Sequence, residues 1–331
     1  MFITRTPLRI SFFGGGTDYP EHFRKAGGQT LGVAINQYSF IVVKRLAALF
    51  DHRIRVGYSR TELVRDRDEI QHPAVRECLR YLDLDGGLEV DYIGDLPARS
   101  GLGSSSSFTV GLLHALYAFK GEMVSKARLA AEAVHVEQDL LRERVGVQDQ
   151  HICASGGMVR VCCPPDGPVH AVPVPVSPER WAALQSHLVL MYTGIQRHAH
   201  EVLEEQLERT RSGAVSDELG RLCTLVDDGM RVLTDPREPL SCFGELLNTA
   251  WTMKRALSAR ISSDRIDGWY ERARAEGAVG GKLLGAGGGG FLLLLVPPDK
   301  QDRVVAALPE LRRVPFEFDR TGSTLIFYNP S

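Results

Sequence analysis

The stretch PARSGLGSSSSFTVGLLHAL, residues 97–116, is a glycine- and serine-rich loop that opens into an amphipathic helix. A junction of this kind turns backbone N–H groups and the positive end of a helix dipole toward an anion, which suits the phosphates of a nucleotide. Gly101 and Gly103 are free to take positive φ and to let a ligand approach the main chain. Ser104, Ser105, Ser106 and Ser107 offer N-cap hydroxyls and oxygen ligands for a magnesium ion. By itself the stretch reads equally well as an ordinary serine-capped helix behind a turn. It fits neither common phosphate signature: there is no GxxxxGK[ST], and Ser106 rather than glycine stands three residues after Gly103.

Two further glycine-rich elements decide between these readings. RTPLRISFFGGGTDYP occupies residues 5–20 and GGKLLGAGGGGFLLLLV residues 280–296. Three such elements in this order resemble the three motifs of the GHMP kinase superfamily, named for galactokinase, homoserine kinase, mevalonate kinase and phosphomevalonate kinase. The family's second motif, Pro-x-x-x-Gly-Leu-Gly-Ser-Ser, is matched by Pro97, Gly101, Leu102, Gly103, Ser104 and Ser105, with Ser100 and Ser106 completing the loop. The resemblance covers nearly the whole chain, and the first and third elements look most like the branch of D-glycero-D-manno-heptose 7-phosphate kinases, which phosphorylate the anomeric oxygen. It implies a two-lobed α+β GHMP kinase fold, with a ribosomal-protein-S5-like lobe over 1–180 that carries the ATP-binding loop and a ferredoxin-like lobe over 181–331. It also implies ATP and Mg2+ as cofactors and a sugar phosphate as substrate.

Composition agrees with such an enzyme. The chain has 331 residues, 44% of them hydrophobic, enough for one large or two intimate domains. A formal net charge of −2 argues against general nucleic-acid or membrane-surface binding. Six cysteines without CxxC spacing read as reduced core thiols of a cytoplasmic protein, monomer or homodimer. No signal peptide or anchor is visible: Arg5 and Arg9 interrupt the first apolar run, and FLLLLV at 291–296 is far too short to span a bilayer and reads as a buried strand.

Periodicity predicts strands over 3–13, 31–45, 53–58 and 88–93, helices over 108–119 and 126–142, and a hairpin of 158–163 with 170–174. Beyond the proline-rich stretch 173–178 it predicts a strand at 187–192 and helices over 199–210, 216–233, 239–259 and 262–276. The end returns to strands at 280–284, 290–296, 315–319 and 324–328, with a helix over 300–311.

Phosphoryl transfer needs cations around the moving group and a base or orienting group at the acceptor oxygen. In HVEQDLLRERVGVQDQHICASGG, residues 135–157, Glu137 lies on a helix and Asp149 in the loop after it. On sequence alone Glu137 reads as a solvated helix carboxylate and Asp149 as a turn or cap; the family's spacing makes Glu137 a magnesium ligand together with Ser105, and Asp149 the catalytic base. Arg9 stands where the family has a lysine or arginine, positioned to offset phosphoryl charge. An inward Arg9 needs a carboxylate or phosphate partner, since its neighbours are apolar or small.

Asp18 in GGGTDY matches the aspartate that hydrogen-bonds sugar hydroxyls in galactokinase-like members, with Gly15, Gly16 and Thr17 beside it. Galactokinase carries Gly-Glu-His before Thr-Asp-Tyr; here Gly14, Gly15 and Gly16 leave room for a bulkier sugar. Lys282, Gly285, Gly287 and Gly288 belong to a loop expected to close beside the second motif. A distal phosphate on the substrate would need a cation, for which Arg197 with His198, Lys254 with Arg255, and Arg24 with Lys25 are candidates that also read as solvated helix faces. Zinc spacing and a GxSxG elbow are both missing.

Overall fold

The structure, a computed structural model, describes residues 1–97, 101–195 and 199–330, and the backbone only for 199–202. In chain order the elements are β1 (Phe2–Phe13), α1 (Pro20–Ala26), β2 (Gly28–Arg45), β3 (Ile54–Gly57), β4 (Thr61–Val64), α2 (Pro73–Tyr81), β5 (Leu88–Gly94), α3 (Ser104–Lys120), α4 (Lys126–His135), α5 (Gln148–Ser155), β6 (Met158–Cys163) and β7 (His170–Pro173). They continue as α6 (Pro178–His187), β8 (Leu188–Tyr192), α7 (Ala199–Arg211), α8 (Ser216–Thr234), α9 (Leu240–Leu257), α10 (Asp264–Ala275), β9 (Gly280–Leu283), β10 (Phe291–Leu295), α11 (Gln301–Ala306), β11 (Arg312–Arg313) and β12 (Thr324–Tyr328).

The first sheet has eight strands, in the order β12-β1-β2-β5-β3-β4 with β6 paired to β2 and β7 to β6. The long β2 makes this possible: one edge pairs with β1, while its other edge pairs with β6 over Gly28–Val33 and with β5 over Ser39–Arg45. β12, placed in the C-terminal lobe by the sequence reading, is a strand of this first sheet, paired antiparallel with β1. The second sheet is antiparallel in the order β11-β8-β10-β9, and every residue of β10 is buried. A continuous buried cluster joins the lobes, running from Leu8, Ile10 and Phe12 of β1 to Phe243 and Trp251 of α9 and Leu292–Leu295 of β10. Area removed from water at about 25 cal/mol per Å² makes such a shared core the main bond between the two sheets.

Several expectations are corrected. The helix predicted over 126–142 ends at His135 and passes into a π-helical turn, Val136–Leu140, which widens the backbone around Glu137. Residues 315–319 form no strand, only an isolated bridge of Phe318 to Ile35, and the helix expected over 300–311 is the shorter α11. Helices α1, α2, α5 and α6 were not read from the sequence because each is short; α1, α2 and α6 begin at proline, a residue more often taken for a break than a first turn. Among the described residues no helix is long and apolar enough to cross a membrane.

Candidate active site

Helix α3 crosses β1 at close range because Gly111 has no side chain: a Cβ there would lie 2.8 Å from Thr6 Oγ1. Thr4 Oγ1 donates to Gly111 O at 2.9 Å and Ser107 Oγ to Thr6 O at 3.0 Å, so the helix start is fixed over the strand that carries Arg9. The N-cap residue is Gly103, in the left-handed region at φ +74°, and no side chain caps the helix. Serine capping is therefore not what these residues do. Among the described residues no side chain accepts from the N–H groups of the first turn, and a left-handed glycine before an uncapped helix is geometry suited to an anion.

Arg9 lies at the foot of this cradle. It is 4% exposed. Its Nε and Nη2 donate to the two oxygens of Asp149 at 2.7 and 2.6 Å, and Nη1 donates to Gly101 O at 2.7 Å. The bidentate geometry is the one a guanidinium forms best with a carboxylate. Burial disfavours the Arg9 charge, but Asp149 outweighs it and holds the guanidinium pKa above its ordinary value.

Asp149 stands in the first turn of α5 rather than in a loop. Successive residues of a helix point about 100° apart, and three neighbours here meet three different partners. Gln148 Nε2 donates to Asp18 Oδ2 at 3.1 Å, Asp149 takes Arg9, and Gln150 Nε2 donates to Glu137 Oε2. Gln148 and Gln150 were missed in the sequence, although the run Gln-Asp-Gln at a helix start is a signal that could have found them.

Glu137 is 1% exposed. Its Oε2 accepts from Ser106 Oγ at 2.9 Å as well as from Gln150, while Oε1 is buried with no partner. Burial pushes its pKa up to about 7, while the neighbouring Thr109, Gln150 and Ser106 act to hold it down. An orphaned carboxylate oxygen in such a place fits a hard cation, which supplies the missing partner and favours the charged form. The serine that touches Glu137 is Ser106; Ser105, expected to share the metal, presents an exposed side chain on the first turn, and its carbonyl accepts from Thr109 Oγ1 at 3.2 Å.

Asp18 is 1% exposed, accepts from Gly16 N at 3.0 Å, and has its pKa raised chiefly by burial. Nearby, Ser11 Oγ and Gln148 Oε1 are buried without partners, and both Ser11 Oγ and Gln148 Nε2 lie 3.7 Å from where a Cβ on Gly15 would stand. Asp18, Gln148 and Ser11 thus present acceptors and a hydroxyl around an open glycine turn. Thr17 does not take part: its Oγ1 donates to Gly14 O and Gln29 O, which fixes the turn. Gly16 packs against Gln206 of α7 and Leu219 of α8.

The third glycine element closes on the second, as expected. A Cβ on Gly285 would lie 2.5 Å from Gly101 Cα, and one on Gly101 2.6 Å from Leu284 O, so neither loop admits a side chain. Gly287 and Gly288 also have positive φ; Gly288 N donates to Ile261 O at 2.9 Å, which ties that part of the loop to the segment after α9. Lys282 and Lys254 are both buried: Lys282 Nζ donates to Phe12 O at 2.8 Å, and Lys254 Nζ to Gly285 O. Of the other cation candidates, Arg255 is paired with Asp267, Lys25 reaches Arg211 O on the outer surface, and Arg24 is exposed. Ser100, Arg197 and His198 lie outside the described residues.

The start of α3 thus lies above an arginine–aspartate pair, with a buried carboxylate oxygen of Glu137 on one side and a glycine turn flanked by Asp18, Gln148 and Ser11 on the other. Residues 70–157 match the GHMP kinases N terminal domain and residues 236–312 the GHMP kinases C terminal domain. The chain belongs to the GHMP kinase family, whose members use ATP as phosphate donor. It is 25% identical to the D-glycero-alpha-D-manno-heptose 7-phosphate kinase of Campylobacter jejuni, over 92% of each chain. To the galactokinase of Pyrococcus furiosus it is 26% identical, over 92% of this chain and 91% of that one. The crystal structure of a D-glycero-D-manno-heptose 1-phosphate kinase from Bacteroides thetaiotaomicron shares the fold, with a TM-score of 0.78 at 21% identity over 98% of each chain.

Proposed function

We propose that the chain transfers the γ-phosphoryl group of ATP to the anomeric hydroxyl of D-glycero-D-manno-heptose 7-phosphate, giving the 1,7-bisphosphate. The observation that carries the transfer is the Arg9–Asp149 pair held directly below the uncapped start of α3. The phosphates of ATP would lie along Gly101–Ser106. The base would extend toward Tyr58, His72, Tyr92 and Phe108, whose rings meet at 4.8–5.2 Å, since Phe108 shares a helix face with Ser105.

Asp149 would orient the acceptor hydroxyl and take its proton, and Arg9 would stabilise charge on the phosphoryl oxygens. Glu137, through its unpartnered Oε1, and Ser105, through its exposed hydroxyl, would hold Mg2+. Bound there, the ion would neutralise phosphate charge. Ser106 and Gln150 would keep the Glu137 carboxylate in place.

The sugar reading is supported by the polar groups around Gly15, where Asp18, Gln148 and Ser11 suit hydroxyls, and by the heptose-kinase relative that spans 92% of the chain. The test is ATP consumption with heptose 7-phosphate, heptose 1-phosphate, mannose 6-phosphate, free heptose, fucose and galactose, with the product read by phosphorus NMR. Turnover of the 7-phosphate with a new anomeric phosphate is expected. Turnover of a free sugar alone would keep the transfer chemistry and discard the phosphate-bearing substrate; binding of sugar and ATP without product would leave a sensor.

A further inference from the structure

Two abutting glycine loops each present a carbonyl to a buried cation. Gly101 O accepts from Arg9 of β1, and Gly285 O accepts from Lys254 of α9. The loops are so close that a Cβ on Gly285 would reach within 2.5 Å of Gly101 Cα. The two cations therefore converge on one junction, one from each lobe. Their partners differ: Arg9 has the Asp149 carboxylate, whereas among the described residues Lys254 forms no ion pair and its hydrogen bond is to the neutral Gly285 carbonyl.

An ammonium carries three donors, and burying it with a single neutral acceptor is costly. Lys254 is 9% exposed, in the last turn of α9, where the helix dipole favours a cation. Burial, aided by Arg9, brings its pKa down to about 8, while Asp18 and Asp149 act to keep it charged. Lys282 is placed differently. It anchors Phe12 O at the end of β1, directly before the glycine turn, and so serves as a positioning residue.

We propose that Lys254 is a second catalytic cation, which holds an oxygen of the phosphoryl group in transit on the side opposite Arg9. This rests on the phosphoryl-transfer reading above. In the step, the bond from the γ-phosphorus to the β–γ bridging oxygen breaks and ADP leaves with that electron pair. The bond from phosphorus to the acceptor oxygen forms, the acceptor proton goes to Asp149, and Lys254 keeps its proton throughout.

The test compares Lys254→Gln, which can still donate to Gly285 O but carries no charge, with Lys254→Arg, which keeps the charge. Calorimetry with Mg2+ measures the affinities of ADP and of AMP-PNP, the analogue that retains a third phosphoryl group. Lys254→Gln should bind ADP within about threefold of the parent yet lose about tenfold in its preference for AMP-PNP, with Lys254→Arg restoring most of it. Its kcat should fall by roughly 10²-fold or more while the KM of the acceptor moves little. An unchanged AMP-PNP preference in Lys254→Gln, or an equal loss in Gln and Arg variants, would overturn the proposal. Failure of the sugar assignment shows separately, as a parent enzyme that turns over none of the sugars offered, and leaves the affinity ratio readable.

Discussion

Asp149→Asn changes one charge and almost no volume. The carboxylate now takes two hydrogen bonds from Arg9, at 2.7 and 2.6 Å. Asparagine keeps one acceptor and sets an NH2 group against the guanidinium, leaving Arg9 with a neutral contact there and with Gly101 O. Arg9 cannot retreat into water, being 4% exposed. Breaking a buried ion pair costs about 3–5 kcal/mol, and a hydrogen bond to a charged group contributes about 1.5–3 kcal/mol. The Asp149 side chain is 23% exposed, which screens the pair and sets the expected loss at about 2–3 kcal/mol. Urea unfolding measures it. Combining the change with Arg9→Met should recover about 2 kcal/mol relative to the sum of the single losses, because the stranded charge is then gone. Turnover should fall by roughly 10²–10⁴-fold through loss of the base, with ATP affinity within about threefold. Turnover of the single variant within threefold of the parent, or strict additivity in the double variant, would refute the reasoning.

Gly285→Ala forces a methyl to 2.5 Å from Gly101 Cα at φ +75°, so the loops must part; ATP affinity should drop by about tenfold or more, with a stability loss of about 1–3 kcal/mol by urea unfolding. Ser106→Ala removes one of the two donors on Glu137 Oε2 and should raise the magnesium concentration for half-maximal activity by about 10-fold. His151 is buried, and burial pulls its pKa down to about 4, with His170 adding to the effect. The unfolded histidine binds a proton near pH 6.5 and the folded one near 4, so this group's contribution is complete above about pH 6.5 and lost as pH falls toward 4. That amounts to about 3 kcal/mol, and His151→Gln should flatten a pH series of unfolding curves between about pH 6.5 and 4 by this group's share.

Local rules made much of the protein legible. Runs rich in β-branched and aromatic residues mark β1 and β2, and an unbroken apolar run marks β10, because strands advertise burial at short range. The glycines at 101, 103 and 285 are also local signals, since positive φ and close backbone approach exclude other residues. Through the resemblance those glycines carry, Arg9, Asp18, Glu137 and Asp149 are legible in the sequence as site candidates.

Residue type and spacing do not say which side chains meet. Ser105 and Ser106 are chemically identical in sequence, and only the crossing of α3 over the π-turn puts the second against Glu137. Thr17 looks as much like a sugar contact as Asp18 until its hydroxyl is found holding the turn. The burial of Lys254 and its meeting with the Gly285 carbonyl depend on α9 packing beneath a loop from another part of the chain. Sequence by itself determined most of the longer strands, the tight loops and the inventory of charged groups, all of which depend on a few adjacent residues. Tertiary structure decided which of those groups are paired, orphaned or buried, because desolvation and hydrogen bonding are properties of neighbours brought together across the fold.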